Sequence, residues 1–176
     1  MFKRFMTKFE GLALKVFLEP LERHGFALEA TETDREFCRL TFVNGERYVR
    51  IAASIHPLDL PHEFSVVLGE GSREFLEADW NSIALWRVRN LIEGGDTGSN
   101  YSLQKRGRVP ELLDQAKDEL LEFGMDFLGG DLTDFRQARS DQNRQRQPYQ
   151  VYSPDENGVY AAADEPESAK MKAKYS

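Results

Sequence analysis

The stretch EFCRLTFVNGERYVRIAAS constrains the fold more strongly than any other part of the chain. Two runs in which apolar and polar residues alternate flank the dipeptide Asn44-Gly45. This dipeptide favours a type I′ turn, which closes a two-residue loop between antiparallel strands. The sequence therefore predicts a β-hairpin with one face towards a core.

The predicted loop also sets which residues of the two strands face one another. Leu40 would lie opposite Val49, and Cys38 opposite Ile51, on the face that points into the core. Cys38 would then be a small buried apolar side chain rather than a reactive thiol.

The other face of the predicted hairpin is polar. Here Arg39 would lie opposite Arg50, and Thr41 opposite Tyr48. Like charges directly opposite each other are unfavourable. Either nearby acidic residues neutralise this face, or the two arginines form a site for an anionic group.

Flanking segments predict the rest of an α+β fold. GFALEATE and HEFSVVLGEG indicate further strands, giving an antiparallel sheet of about four strands over residues 26–69. Residues 2–24 predict a helix in which Pro20 would cause a kink or an interruption. Asp79 would cap a second helix through WNSIALWRVRNLIEGG, although part of that segment could be extended instead. The apolar face of the first helix comprises Phe2, Phe5, Phe9, Leu12 and Val16.

A long acidic helix is expected between Pro110 and Gly129-Gly130. Its apolar face comprises Leu113, Ala116, Leu120, Phe123 and Phe127. The opposite side carries the acids Glu111, Asp114, Asp118, Glu119, Glu122 and Asp126. A short second apolar strip, formed by Leu121, Met125 and Leu128, runs between the two.

Acids at every fourth position repel one another along a helix, by roughly 0.2–0.5 kcal/mol per pair. One interpretation is a solvated face that keeps the protein in solution. The other is a binding surface for a basic protein partner, with apolar anchors beside the charges. The residues predicted to bind this partner are Asp114, Asp118, Leu121, Glu122, Met125 and Asp126.

Length and composition indicate one domain with a tail. The chain has 176 residues, of which 40% are hydrophobic, enough for a substantial core. We expect a globular domain over residues 1–130, a polar helical extension over 131–147, and a disordered tail over 148–176.

The net charge, the single cysteine and the apolar runs limit which partners and which cellular compartment we expect. The net charge of −7 disfavours nucleic acid, because binding phosphates requires clustered cations. The single cysteine forms no internal disulfide, and no run of about 18 apolar residues indicates a membrane span. The basic and apolar N-terminus is interrupted by charges, so we expect a cytoplasmic protein without a signal peptide.

No motif in the chain predicts a catalytic residue or a cofactor. His56, Asp59 and His62 lie close together in sequence, but their spacing matches no zinc pattern. An enzyme or ligand-binding protein remains the rival prediction, with a pocket around Arg39, Arg50, Tyr48 and the His56–His62 loop.

Two family resemblances carry further expectations. The order of elements, together with LERHGF and DWNSIALWR, resembles small bacterial immunity-type α+β proteins. This resemblance implies a non-enzymatic inhibitor that binds another protein. The stretch CRLTFVNGERYVRI is similar to the hairpin of acidic type III secretion chaperones, which implies a dimer. Neither resemblance assigns a site residue.

Overall fold

The structure is a computed structural model that describes residues 2–96, 98–154 and 156–176, with the backbone alone at residues 2–4. Over these residues the chain has the predicted α+β fold, with an N-terminal helix, an antiparallel sheet and further helices. None of the described helices is both long enough and apolar enough to cross a bilayer.

The described residues of the main sheet form six strands in the order β1-β2-β3-β4-β5, with β6 also paired to β4. The strands are β1 (Ala27–Thr33), β2 (Phe37–Asn44), β3 (Arg47–Ser54), β4 (Glu63–Glu70), β5 (Ser82–Ala84) and β6 (Tyr101–Ser102). The helices are α1 (Phe2–Arg23), α2 (Phe75–Asn81), α3 (Leu85–Glu93), α4 (Val109–Phe123), α5 (Met125–Gly129), α6 (Thr133–Gln145) and α7 (Pro166–Tyr175). A separate hairpin joins β7 (Gln150–Pro154) to β8 (Tyr160–Asp164).

The inner face of the sheet, which packs against α1 and α4, forms the main core. Alternating residues of the three central strands point to this side because side chains alternate along a strand. They are Cys38, Leu40, Phe42, Val49, Ile51, Phe64, Val66 and Leu68. The predicted burial of Cys38, Leu40, Val49 and Ile51 is confirmed.

The hairpin register differs from the predicted one by two residues. Leu40 pairs with Ile51, and Thr41 pairs with Arg50. The loop is Gly45-Glu46, in which only the glycine has a positive φ, the pattern of a type II′ turn. A shift of two residues keeps every side chain on its predicted face.

Asn44 explains why the turn lies one residue later than predicted. Its side chain donates a hydrogen bond from Nδ2 to the carbonyl oxygen of His24 at 3.0 Å. Asn44 therefore stays within β2, paired with Arg47. The predicted pairing of Arg39 with Arg50 is wrong, because Arg39 faces Ala52.

The buried face of α1 is rotated from the predicted one. Of the predicted residues, Phe9 is fully buried, while Phe5, Leu12 and Val16 are partly buried at the edge of the core. The side chain of Phe2 lies outside the described residues. The residues that face the sheet, at steps of three and then four, are Met6, Phe9, Ala13, Phe17 and Leu21. Pro20 lies within α1, which continues to Arg23.

The segment after Asp79, predicted as a helix that could be extended in part, does contain an extended piece. Helix α2 ends at Asn81, β5 pairs with β4, and α3 begins at Leu85. Asn81 is fully buried and donates from Nδ2 to the carbonyl oxygen of Ser72 at 2.7 Å. The backbone hydrogen bonds gained by β5 replace those of a continuous helix.

The outer face of the sheet is covered at one end by α2, α6 and α7. Tyr48 lies there against Gly69, where an added Cβ would come within 2.0 Å of the tyrosine ring. The Tyr48 hydroxyl donates to Oδ1 of Asn81 at 2.7 Å. Arg139 and Asn143 of α6 are also buried in this layer.

The acidic helix is divided at Gly124 into α4 and α5. The backbone approaches so closely here that an added Cβ would lie 2.7 Å from the carbonyl oxygen of Leu120. The predicted apolar face is buried apart from Phe123, which is partly exposed. Asp126 therefore belongs to a second short helix rather than to the same continuous one.

Residues 148–154 and 156–176, which composition predicts to be disordered, include β7, β8 and α7 in the structure. Helix α7 packs on α2 and α6. Asn143 donates from Nδ2 to the carbonyl oxygen of Tyr175 at 3.0 Å, and Lys172 donates to the carbonyl oxygen of Arg146. Composition reflects the apolar area a segment can bury, and it gives no indication of such polar contacts. Helix α6, predicted as a polar extension, contributes Phe135 and Ala138 to the core.

Candidate functional site

The side chains of Asp114, Asp118, Glu122 and Asp126 are exposed along α4 and α5, and together they are called the acidic face. Lys117 Nζ lies 3.2 Å from Asp118 and 3.6 Å from Asp114. In the part of the chain that the structure describes, Glu122 and Asp126 form no ion pair. The surface is therefore accessible and negatively charged.

The apolar residues beside the acidic face differ in exposure. Met125 is 41% exposed, whereas Leu121 is partly buried and packs against the core. Leu128 is buried, so the second apolar strip predicted from the sequence is wrong at this residue. After the break at Gly124, Leu128 lies towards the core whereas Met125 stays exposed. Met125 is thus the main apolar anchor available to a partner.

Glu119 faces inward, and its predicted place among the exposed acids is wrong. Its carboxylate accepts a hydrogen bond from the Tyr101 hydroxyl at 2.6 Å and lies 3.3 Å from Arg89. Burial, followed by the Glu119 carboxylate, raises the pKa of Tyr101. Glu119 therefore ties α4 to α3 and β6.

The uncovered end of the outer sheet face forms a shallow depression of about 520 Å³, called the sheet trough. The small side chains of Ala52, Ser54 and Ser65 line it, with Phe37 and Arg39. The 56–62 loop also contributes to its lining. The lining residues of that loop are Asp59, Leu60 and Pro61.

Arg39, Ser54, Asp59 and Glu63, which line the sheet trough, already have hydrogen-bond partners. Arg39 donates to Glu32 at 2.9 Å, and Ser54 donates to Asp59 at 2.7 Å. Glu63 accepts a hydrogen bond from Asn100 at 2.6 Å. These pairs leave no convergent set of polar groups for acid–base chemistry.

The predicted pocket around Arg39, Arg50 and Tyr48 divides between two environments. Arg39 lines the sheet trough, but Tyr48 is fully buried beneath the outer helices. Arg50 stacks over the Tyr48 ring at 5.2 Å, and burial lowers the pKa of its guanidinium. The two arginines therefore do not form one site.

The histidines and the cysteine have structural partners. His56 Nε2 lies 3.5 Å from Glu36, and His62 Nε2 lies 3.2 Å from the carbonyl oxygen of His56. Across the described ranges, no group of three or more His, Cys, Asp or Glu side chains is placed to hold a metal ion. Burial raises the pKa of Cys38 to about 11, which disfavours the thiolate that a nucleophile requires.

A further surface was not predicted from the sequence. Two adjoining cavities of about 390 and 370 Å³ lie between α3 and α6, and both are lined by Arg87, Gln142 and Gln145. Together they are called the α3–α6 groove. Its walls come from segments about 55 residues apart, so no local motif marks it.

Comparisons with protein-family models, curated proteins and solved structures find no match to this chain. The resemblances to immunity-type proteins and secretion chaperones stay predictions. Function therefore has to be argued from the surfaces described above.

Proposed function

We propose that this chain is a protein-binding module that recognises a basic partner through its acidic face. The observation that carries the proposal is the row of exposed carboxylates beside the exposed side chain of Met125. An inhibitor that masks a basic surface of its target, as the immunity-type resemblance implies, is the concrete form.

The electrostatics of the acidic face suit fast association. Like charges spaced four residues apart cost a helix roughly 0.2–0.5 kcal/mol per pair, and here only Lys117 offsets them. A cationic partner would relieve this repulsion. It would also be steered towards the face by the negative field, an effect that weakens as salt rises.

Met125 supplies a short-range apolar contact, which electrostatic attraction alone does not provide. An exposed apolar side chain beside charged residues can enter a partner's pocket and slow dissociation. Leu121 is a less suitable anchor, because it already packs against the core. Its replacement would change stability as well as binding.

A second candidate function is ligand or peptide binding in the sheet trough. It is favoured by the exposure of Leu58 and Leu60, at 86% and 73%, close to the partly exposed Phe37. Large apolar side chains clustered at the surface commonly mark interaction sites. The paired polar groups of the sheet trough favour binding rather than catalysis.

Site-specific photocrosslinking separates the two candidates. A benzophenone side chain placed at position 125 should capture the partner in cells, whereas one at position 60 should not. Position 156, on the exposed loop between β7 and β8, is the matched control. Capture from position 60 instead would favour the sheet trough and contradict the acidic face.

The kinetics of the captured partner then test the mechanism. Replacing Asp118 with Asn and Glu122 with Gln should slow association by on the order of a few-fold at low salt, with little effect at high salt. Met125→Ala should speed dissociation by about tenfold, since apolar anchors act on the bound state.

The matched control is the pair Glu22→Gln and Glu156→Gln, which removes the same charge from exposed positions elsewhere. This pair should leave association nearly unchanged. Equal slowing by both double variants would mean that net charge, rather than the acidic face, steers the partner.

A further inference from the structure

Arg87, on the α3–α6 groove, is a cation without an acidic partner. Its guanidinium stacks on the indole ring of Trp86 at 4.3 Å. Over the described part of the chain, it forms no ion pair and no hydrogen bond to a carboxylate. The side chain is only partly exposed, so water solvates it incompletely.

Neighbouring arginines are all neutralised. Arg89 pairs with Glu93 and Glu119, and Arg139 pairs with Glu70. Residues two apart on a helix point in different directions, so Arg89 turns towards α4 while Arg87 turns towards α6. Among the described arginines of α3 and α6, only Arg87 therefore lacks an acidic partner.

The first of the two cavities combines Arg87 with free hydrogen-bond donors. Gln142 and Gln145 line it, and their side-chain amides have no partner among the described residues. Arg146 and Asp79 also line it, but they lie 2.6 Å apart and neutralise each other. The positive charge of Arg87 is thus left uncompensated beside donor groups.

The second cavity has the opposite character. Asp96 and Asp141 line it, together with the ring of Trp86. Asp141 accepts hydrogen bonds from Gln137 and lies 3.4 Å from Arg144, which offsets its charge, whereas Asp96 is exposed and without an ion pair in the described ranges. This end of the α3–α6 groove therefore presents acceptors, and Arg87 lies between the two ends because it lines both cavities.

We propose that the α3–α6 groove binds a small polar ligand that has an anionic group at one end and hydrogen-bond donors at the other. The carboxylate or phosphate of the ligand pairs with Arg87, whose planar guanidinium matches either oxyanion in a bidentate arrangement. Its hydroxyl or amino groups face Asp96 and Asp141. The two cavities, of about 390 and 370 Å³, have the size of a small-molecule site.

The full-length protein can be titrated with sodium phosphate and, separately, with sodium acetate, while sodium chloride keeps the ionic strength constant. The indole N–H resonance of Trp86 is the reporter, because that ring stacks on Arg87. Saturable shifts are expected with at least one of the two anions. The anion that binds more tightly identifies the head group.

Arg87→Gln should weaken this binding by at least about tenfold, since a charged donor is lost. It should leave the melting temperature nearly unchanged, because the side chain forms no hydrogen bond in the described structure. Gln142→Leu tests the same cavity from α6 and should also weaken binding. The control Arg35→Gln removes an exposed arginine on the turn between β1 and β2 and should have no effect.

Phosphoethanolamine tests the other end of the groove. Its amino group should make it bind more tightly than inorganic phosphate, and Asp141→Asn should reduce that advantage. Shifts that do not saturate, or that are equal in wild type and Arg87→Gln, would overturn the proposal. Equal binding of phosphoethanolamine and phosphate would overturn the role assigned to the two carboxylates.

Discussion

The two faces of the main sheet are covered in different ways. The inner face meets α1 and α4 through apolar side chains such as Leu40 and Phe64. The outer face meets α2, α6 and α7 through polar contacts that involve Tyr48 and Asn81. The inner layer therefore depends on buried apolar area, and the outer layer depends on whether buried polar groups keep their partners.

Polar pairing in the outer layer is incomplete. Among the described side chains, Trp80 Nε1, Arg139 Nε and Asn143 Oδ1 are buried there without a hydrogen-bond partner. Arg139 is held by stacking on Phe135 and Tyr175, at 5.0 and 4.9 Å from their ring centroids. Unpaired buried groups cost free energy, so the outer layer should contribute less to stability than the inner one.

The largest effect is expected from Leu40→Ala on the inner face. Leu40 is fully buried, and removing its side chain should leave a cavity that costs about 2–5 kcal/mol in the free energy of unfolding. Chemical denaturation measures this loss. Leu58→Ala, at an 86% exposed position, should change stability very little. A loss well under 1 kcal/mol for Leu40→Ala would contradict the packing of the inner core.

Tyr48→Phe should have an intermediate effect on the outer layer. The variant removes the hydroxyl that donates to Asn81 and leaves the Oδ1 atom of Asn81 buried without a partner. The expected cost is about 1–3 kcal/mol. Tyr152→Phe, at an exposed tyrosine, is the control. Equal stability of the Tyr48→Phe variant and the wild type would show that the outer layer is hydrated.

A smaller, pH-dependent effect is expected at Glu70. Its side-chain hydrogen bond to Arg136, and the charges of Arg136 and Arg139, hold the pKa of this carboxyl below its ordinary value of 4.5. The stability that Glu70 contributes is therefore present above that value, and it is lost as the pH falls through the lowered pKa of the folded state. Water screens the ion pair with Arg136, whose side chain is 56% exposed, more than the pair with Arg139, which is 10% exposed.

Denaturation of Glu70→Gln and wild type across pH isolates this contribution. The gap between their free energies of unfolding should be widest near neutral pH and should close as the pH falls below 4.5. A gap that widens on acidification would reverse the assigned role of Glu70. Glu22→Gln, at an exposed residue without an ion pair in the described structure, controls for the loss of one charge.

Deleting residues 165–176 should have the smallest effect. Helix α7 is held by contacts such as those from Asn143 and Glu77 to Tyr175, and its removal would expose these groups to water rather than leave them buried. The entropy of ordering the segment offsets much of what the contacts contribute. We expect a loss of about 1 kcal/mol, measured by denaturation. A loss as large as that of Leu40→Ala would contradict this expectation and show that α7 contributes substantially to the free energy of unfolding.

Strong periodicity made parts of the fold predictable from the sequence. The apolar steps of three and four along α4 identified its buried face, and alternation identified the buried face of the hairpin. The outer layer could not be predicted in this way. Arg139 and Asn143 are polar residues that periodicity assigns to solvent, yet they are buried by α7 and by the sheet.

The candidate sites were also predictable only where they depend on residues close together in the sequence. Helical spacing was enough to predict the exposure of the acidic face, because its four residues lie close together in the sequence on α4 and the adjoining α5. Glu119 was misassigned since its partners, Tyr101 and Arg89, lie outside that segment. Arg87 was missed because its significance depends on α6, which is distant in the sequence. The only local signal was the pair of arginines in WRVRN, which point to different sides of α3.

The contact between Tyr48 and Gly69 bears on the alignment of β3 with β4, which hydrophobic patterning does not determine. The alternation of apolar and polar residues distinguishes the two sides of a strand, so it does not detect a slip of two residues. Such a slip separates the expected hairpin from the observed one. Between β3 and β4, such a slip in one direction would move the Tyr48 ring from Gly69 onto Val67. Gly69 has no side chain and accepts the ring, whereas a valine would obstruct it, so this single contact disfavours that misalignment of the strands.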